Sequence, residues 1–333
     1  MSSSVSLGSI CYAAFCASSI AVLKAVNSMV TEPYMDEPFH VPQAQAYCNG
    51  DFEYWDPKIT TPPGLYILSV ILKRIFMLKC NLAMLRLTPL LALCALPLAL
   101  TRLLCYHKRE RPPPSPVTPI SEAVVLTLFP IAWFFGFMYY TEVPSLVFVV
   151  LSVVSAMQNQ HWLSALLGAI SCTFRQNNII WVLYAYASSQ LMYLRFRRAP
   201  QDGKPHHKLH DPQALSAVPG DLVKAAFSVP NVLLDILPNF VPYALVLLSF
   251  GAFVVWNGGI VLGKLRALSR CKLWLIPYST GDKSNHVPAF HVPQMYYFVG
   301  FSTLLGWPVL VSGPGGFATL ARGVWLRMCG TRR

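Results

Sequence analysis

The stretch NLAMLRLTPLLALCALPLALTRLL, residues 81–104, decides the fold. A helix needs about 20 mainly apolar residues to cross the hydrocarbon core of a bilayer, and this run supplies them. It is followed at once by CYHKRERPPPSPVTP (105–119), which is basic and proline-rich. Lys and Arg accumulate in loops that stay on the cytosolic side, so the run reads as a span whose end at 104 faces the cytosol.

Composition extends the same reading to the whole chain. Of 333 residues, 54% are hydrophobic and 12% are charged, against about 25% charged in ordinary globular chains. A chain so short of solvating groups makes neither a soluble enzyme nor a nucleic-acid module. Its 8 Trp, 15 Tyr and 19 Phe exclude a disordered tail. The formal charge of +12 is no nucleic-acid footprint, because it follows the loops. Arg102, Lys108, Arg109 and Arg111 flank the proline-rich stretch, and Arg195, Arg197, Arg198, Lys204, Lys208 and Lys224 populate a second basic loop. By contrast Glu32, Asp36, Glu37, Asp51, Glu53 and Asp56 lie within 31–63, where Lys58 is the sole cation. The basic loops are expected in the cytosol and 31–63 on the opposite side. The sequence therefore predicts an all-α polytopic membrane protein.

Outward from the central span, residues 5–29 form a first span, with Lys24 near its end able to snorkel. The acidic loop follows, broken by Pro33, Pro38, Pro42, Pro57, Pro62 and Pro63. Residues 64–79 are apolar but short and contain Lys73 and Arg74. Parity demands an odd number of crossings between 63 and 105, so either 64–79 or 81–104 does not span fully, and 64–79 is favoured as an interfacial or re-entrant helix. Further spans are expected at 120–138, 143–157, 162–174, 179–194, 240–262 and 292–312, with a cytosolic loop at 195–239. This count puts the acidic loop, YYTE (139–142), RQNN (175–178) and GDKSNH (281–286) on one face. Nine Cys, of which only Cys48 falls in the acidic loop, imply no disulfide framework.

Several motifs can carry chemistry. Asp36 and Glu37 are adjacent carboxylates just past the first span, costly near a bilayer unless solvated or used. They are either an ordinary solvated loop or a general base beside a binding group. WDPKITTPPGLY (55–66) combines aromatic and proline rigidity with Lys58, and is equally an interfacial anchor. Arg175-Gln176-Asn177-Asn178 is either a helix-hairpin turn or a phosphate site, since a guanidinium offers a fixed fork of donors. Phe39-His40-Val41-Pro42-Gln43 recurs as Phe290-His291-Val292-Pro293-Gln294, too short to mark a repeat architecture. His206, His207 and His210 have ligand-like spacing without an evident fourth ligand, so no metal is expected. There is no P-loop or dinucleotide fingerprint, so a nucleotide donor is not expected either.

The run TEPYMDEPFHVPQAQAYCNGDFEYWDPKITTPPGLY (31–66) closely resembles the start of the terminal α-1,2-glucosyltransferase family of lipid-linked oligosaccharide assembly. YYTE (139–142), CTFRQNNIIWV (172–182), VWNGGIVLG (255–263) and GDKSNHVPAFHVPQMYYF (281–298) resemble that family's segments in the same order. The resemblance covers most of residues 8–312. It implies a GT-C-type multi-span helical bundle with a luminal first loop, in the endoplasmic reticulum membrane. It also implies dolichyl phosphate glucose as donor and the diglucosylated dolichyl-diphosphate oligosaccharide as acceptor, in assembly of the N-glycan precursor. Two departures stand out: KLRALSRCKLWLIPYST (264–280) interrupts the pattern as an insertion, and the tail at 313–333 is atypical for the family. Residues 1–312 are read as the GT-C-like domain.

Converting a β-linked donor to an α-linked product implies one inverting displacement, with one base and no covalent sugar–enzyme intermediate. Asp36 is assigned as base, with Glu37 as substitute or sugar ligand. Charge and parity nominate Arg175, then Lys283 and His291, for the departing phosphate, and His40, Trp55, Asp56, Lys58, Glu142 and Asn177 as further substrate contacts. The scheme requires no metal. The alternative function is a non-catalytic membrane regulator or channel-associated protein.

Overall fold

The computed structural model describes residues 7–56, 58–197, 209–211 and 218–257, together with Arg322 and Trp325. Among them the chain is helical throughout, with α1 at Leu7–Met29, α2 at Glu37–Cys48, α3 at Gly64–Phe76, α4 at Leu82–Leu85 and α5 at Leu87–Lys108. Then come α6 (Ser121–Thr127), α7 (Pro130–Phe135), α8 (Glu142–Met157), α9 (His161–Phe174), α10 (Ile179–Phe196) and α11 (Pro219–Asn257). Among the described residues, three stretches are long and apolar enough to cross a membrane: Leu7–Met29, Leu82–Lys108 and Val223–Asn257. The chain divides into two units, residues 1–208 with 231–282, and residues 209–230 with 283–333. All of the site described below lies in the first. In the second, His210 faces Asp221 at 3.1 Å, and Lys224 faces the same carboxylate at 3.3 Å.

Three expectations are corrected. The single span at 120–138 is two short helices, because Pro130 has no N–H to donate and holds the preceding Phe129 extended, at φ −52° and ψ 126°. The loop at 195–239 is helical from Pro219 onward; apolar runs such as Val232-Leu233-Leu234 sustain the helix through Pro230 and Pro238. Third, Cys48 is bonded to Cys80, which the odd cysteine count concealed. The insertion at 264–280, the span at 292–312 and the tail at 313–333, apart from Arg322 and Trp325, lie outside the described residues.

The disulfide bears on the parity problem. It holds the two Cα atoms 6.4 Å apart, whereas one crossing between them would separate them by about 30 Å. With 13 residues, α3 extends only about 20 Å. Its outward face carries Ile67, Ile71 and Ile75, all exposed, while Leu65, Tyr66 and Ser69 are buried. The crosslink thus fits a short amphipathic helix whose two ends stay on one side, and Leu82–Lys108 is the stretch of this region long and apolar enough to cross.

A buried ion pair joins the segments at this end of the bundle. Arg86 and Glu37 are both fully buried. Arg86 donates through Nε to Glu37 Oε1 at 2.9 Å and through Nη2 to Oε2 at 2.5 Å. Its Nη1 donates to Asn27 Oδ1 and to the Val30 carbonyl at the end of α1. The Glu37 carboxylate also accepts the backbone N–H groups of Tyr34, at 3.0 Å, and Tyr139, at 2.7 Å. One pair therefore fastens α1, α2, the α4–α5 junction and the YYTE segment.

Burial alone would raise the Glu37 carboxyl, but the Arg86 guanidinium and the two N–H donors outweigh it and hold its pKa below the usual carboxylate range. The pair's stabilisation is therefore complete above the unfolded value of about 4.3, and is lost as pH falls through the lower folded value. Removing one partner of such a pair costs about 3–5 kcal/mol. Arg86→Met is expected to destabilise by that amount in a thermal melt in detergent. Glu37→Met with Arg86→Met should recover only part of it, because the Tyr34 and Tyr139 N–H groups stay unpaired. A single Arg86→Met variant that melts like the parent would refute the role.

Candidate active site

The site is built on the turn that leads into α2. Met35 adopts a left-handed backbone, φ +57°, a conformation costly for a side-chain-bearing residue. The turn it makes buries Glu37 and leaves Asp36 exposed. Two neighbouring carboxylates are thus divided. Glu37 is spent on Arg86. The carboxylate of Asp36 has no hydrogen bond or ion pair among the described residues, while its backbone N–H donates to the Tyr140 hydroxyl.

Around Asp36 stand the aromatic residues of the first loop and of YYTE. His40, one turn along α2, is buried, with Nδ1 2.6 Å from the Tyr66 hydroxyl and its ring edge-on to Tyr140. Burial lowers the His40 pKa against the opposing pull of Asp36, Glu37 and Asp56, so its imidazole is neutral at pH 7. Burial also pushes the Tyr140 hydroxyl up to about 12, keeping it protonated. Trp55 packs edge-on against Tyr66. Asp56 is held by the loop itself: its N–H donates to Gln43 Oε1, and its carboxylate accepts the Lys58 N–H. The Lys58 ammonium lies over the Phe39 ring at 5.0 Å.

YYTE then leads to the second charged group. Glu142 opens α8, and its Oε1 accepts a hydrogen bond from Arg175 Nη1 at 2.6 Å. The other oxygen of Glu142 is buried without a hydrogen-bond partner among the described residues. Arg175 sits extended between α9 and the short turn at Gln176–Asn178. Gln176 ties that turn to the first loop by donating to the Thr60 carbonyl at 2.6 Å. Gly64 lies so close to Thr173 that a Cβ would fall 2.4 Å from its Oγ1, so the start of α3 packs directly on the end of α9. Asn178 braces the turn through Ser145 and Ser171, whereas Asn177 is exposed.

The fold thus gathers Asp36, His40, Trp55, Glu142 and Arg175 at one end of the bundle. Lys58 and Asn177 are exposed nearby, and Asp56 is engaged within its loop. Lys283 and His291 lie outside the described residues. Sequence reading passed over Arg86, and it marked YYTE without giving Tyr139 or Tyr140 a role. The signal for Arg86 was present, since a lone Arg within an apolar span requires a partner.

The fold and site define a polytopic helical membrane protein with a polar cluster at one end of its bundle. The chain belongs to the DIE2/ALG10 family, which matches residues 30–329. It is similar to proteins named "Dol-P-Glc:Glc(2)Man(9)GlcNAc(2)-PP-Dol alpha-1,2-glucosyltransferase". One from Rattus norvegicus is 34% identical over 93% of this chain and 64% of the relative. One from Arabidopsis thaliana is 32% identical over 85% of the chain and 62% of the relative. One from Emericella nidulans is 32% identical over 86% and 49%. The chain therefore spans about half to two thirds of the length of these relatives. No solved structure matches it.

If Arg175 meets a phosphate, Arg175→Lys keeps the charge but loses the planar fork. Affinity for a phosphate-headed lipid, measured by titration in detergent, is expected to fall about tenfold, the scale of one lost charged hydrogen bond. Protein abundance should stay unchanged. Unaltered affinity in Arg175→Ala would remove the residue from the site.

Proposed function

We propose that this chain transfers glucose from dolichyl phosphate glucose to the diglucosylated lipid-linked oligosaccharide, forming the terminal α-1,2 linkage in the lumen of the endoplasmic reticulum. The relatives' names supply the sugar and the two lipids. The observation that carries the reading on this chain is the division of the two carboxylates. With Glu37 consumed by Arg86, Asp36 is the carboxylate left free at the polar cluster. The Cys48–Cys80 bond supports a luminal first loop, since disulfides persist in oxidising compartments such as the reticulum lumen.

In the mechanism the acceptor hydroxyl attacks the anomeric carbon of glucose while its proton passes to the Asp36 carboxylate. The bond from that carbon to the phosphate oxygen breaks, and dolichyl phosphate departs as an anion. Inversion turns the β-linked donor into an α-linked product. Arg175 stabilises the departing phosphate, which therefore needs no acid, and the scheme calls for no metal. Tyr140 fixes the backbone of the base, and neutral His40 lines the site without adding a charge that would compete for Asp36.

Removing a general base costs about 10²–10⁴ in rate. Asp36→Asn is expected to lower transfer from dolichyl phosphate glucose by that factor while abundance and donor binding persist, because its side chain supports no packing. The assay measures elongation of the diglucosylated acceptor by the reconstituted chain. Transfer near normal in Asp36→Asn would place the base elsewhere.

A further inference from the structure

Below the Arg175–Glu142 pair, a cavity of about 420 Å³ runs along the bundle. Its wall on α8 consists of Glu142, Ser145, Leu146, Val149, Val150 and Val153. These positions recur at the three- and four-residue spacing of one helix face. At 1.5 Å per residue the stripe is about 16 Å long. Leu103 and His107 of α5, Asn178, and the rings of Trp181 and Tyr184 on α10 complete the lining. The furrow is therefore mainly apolar, with Ser145 and Asn178 beside a charged mouth at Arg175 and Glu142, and with His107 on its α5 wall. A second cavity, of about 440 Å³, lies between the first loop, α9 and α11, and no charged residue lines it. Charge separates the two.

We propose that the α5–α8–α10 furrow seats the hydrocarbon chain of a long-chain isoprenyl phosphate sugar, with its phosphate on Arg175 and a sugar hydroxyl on Glu142. This rests on the reading that the chain uses a lipid phosphate donor. The head-group chemistry follows from the pair at the mouth. Arg175 has five N–H donors, and Glu142 is the one partner of its guanidinium among the described residues. Donors thus remain for a phosphate, and the Glu142 contact holds the guanidinium at the furrow before the lipid arrives. Glu142 Oε2 is buried with no donor to satisfy it among the described residues, and a carboxylate oxygen in that state is costly. A sugar hydroxyl attached to the phosphate would supply the missing donor. Beyond Ser145 the α8 wall is Leu and Val, which suit a branched hydrocarbon, while His107 of α5 adds a polar side chain to the lining.

The test is photocrosslinking of the intact chain in lipid nanodiscs with glucosyl isoprenyl phosphate carrying a diazirine in its chain. The expected crosslinks fall on Leu146, Val149, Val150 or Val153, and dolichyl phosphate displaces the probe while phosphatidic acid does not. Val149→Trp, which fills the furrow, should lower the crosslink yield about tenfold, equivalent to roughly 1.4 kcal/mol of binding. Ala169→Trp in the other cavity should leave the yield unchanged. Glu142→Gln should weaken the glucosylated probe more than the bare isoprenyl phosphate. Crosslinks that map instead to Ala169 or Phe250, or displacement by phosphatidic acid as effective as by dolichyl phosphate, would overturn the proposal. The map on the unsubstituted chain decides even where a Trp variant fails to fold. Crosslinks in the furrow without any glucose transfer would sustain the lipid seat while the transferase reading fails; transfer with crosslinks elsewhere would do the reverse.

Discussion

The buried pair between Glu37 and Arg86 is the constraint from which the rest of this end of the molecule follows. A guanidinium inside an apolar span is costly unless it is paired, and an unpaired buried carboxylate is no cheaper. Each pays for the other, and four donors converge on the Glu37 oxygens. The geometry leaves little freedom to the chain around it. Residues 34–37 must turn through a left-handed Met35, and Tyr139 must present its N–H. Asp36 then points away from the pair, its backbone bound by the next residue of YYTE.

From that anchor the site extends along one short segment. Tyr139 serves Glu37, Tyr140 serves Asp36, and Glu142 serves Arg175. Four consecutive residues thus join a candidate base to a candidate phosphate ligand. The Cys48–Cys80 bond and the Gln176–Thr60 contact tie the first loop to its surroundings on either side. The apolar furrow opens beside Arg175 and the second cavity beside Trp55.

Much of the fold was legible because apolar runs bounded by polar turns mark helix ends. The runs read at 143–157, 162–174 and 179–194 emerge as helices at 142–157, 161–174 and 179–196. Legibility failed where proline acts against the pattern in opposite directions. Pro130 breaks an apolar run that hydropathy alone would keep whole, while Pro230 and Pro238 sit inside a helix that begins within the stretch read as a loop. The disulfide was hidden because Cys80 lies past α3, in a segment whose side of the membrane was open. In the site, residue type nominated Asp36, Glu37 and Arg175. It set Asp36 as base before Glu37 but could not show Glu37 engaged in an ion pair, because that depends on Arg86, which is 49 residues away in sequence.

The central claim is that one of two adjacent carboxylates is consumed by structure and the other is free at the luminal face. Carboxyl labelling with a water-soluble carbodiimide and an amine nucleophile, read residue by residue by mass spectrometry on sealed and then permeabilised microsomes, tests it most directly. The account predicts that Asp36 is labelled only after permeabilisation and that Glu37 stays unlabelled until the chain unfolds. Labelling of Glu37 at a rate matching Asp36 in the folded chain, or labelling of Asp36 in sealed vesicles, would contradict it.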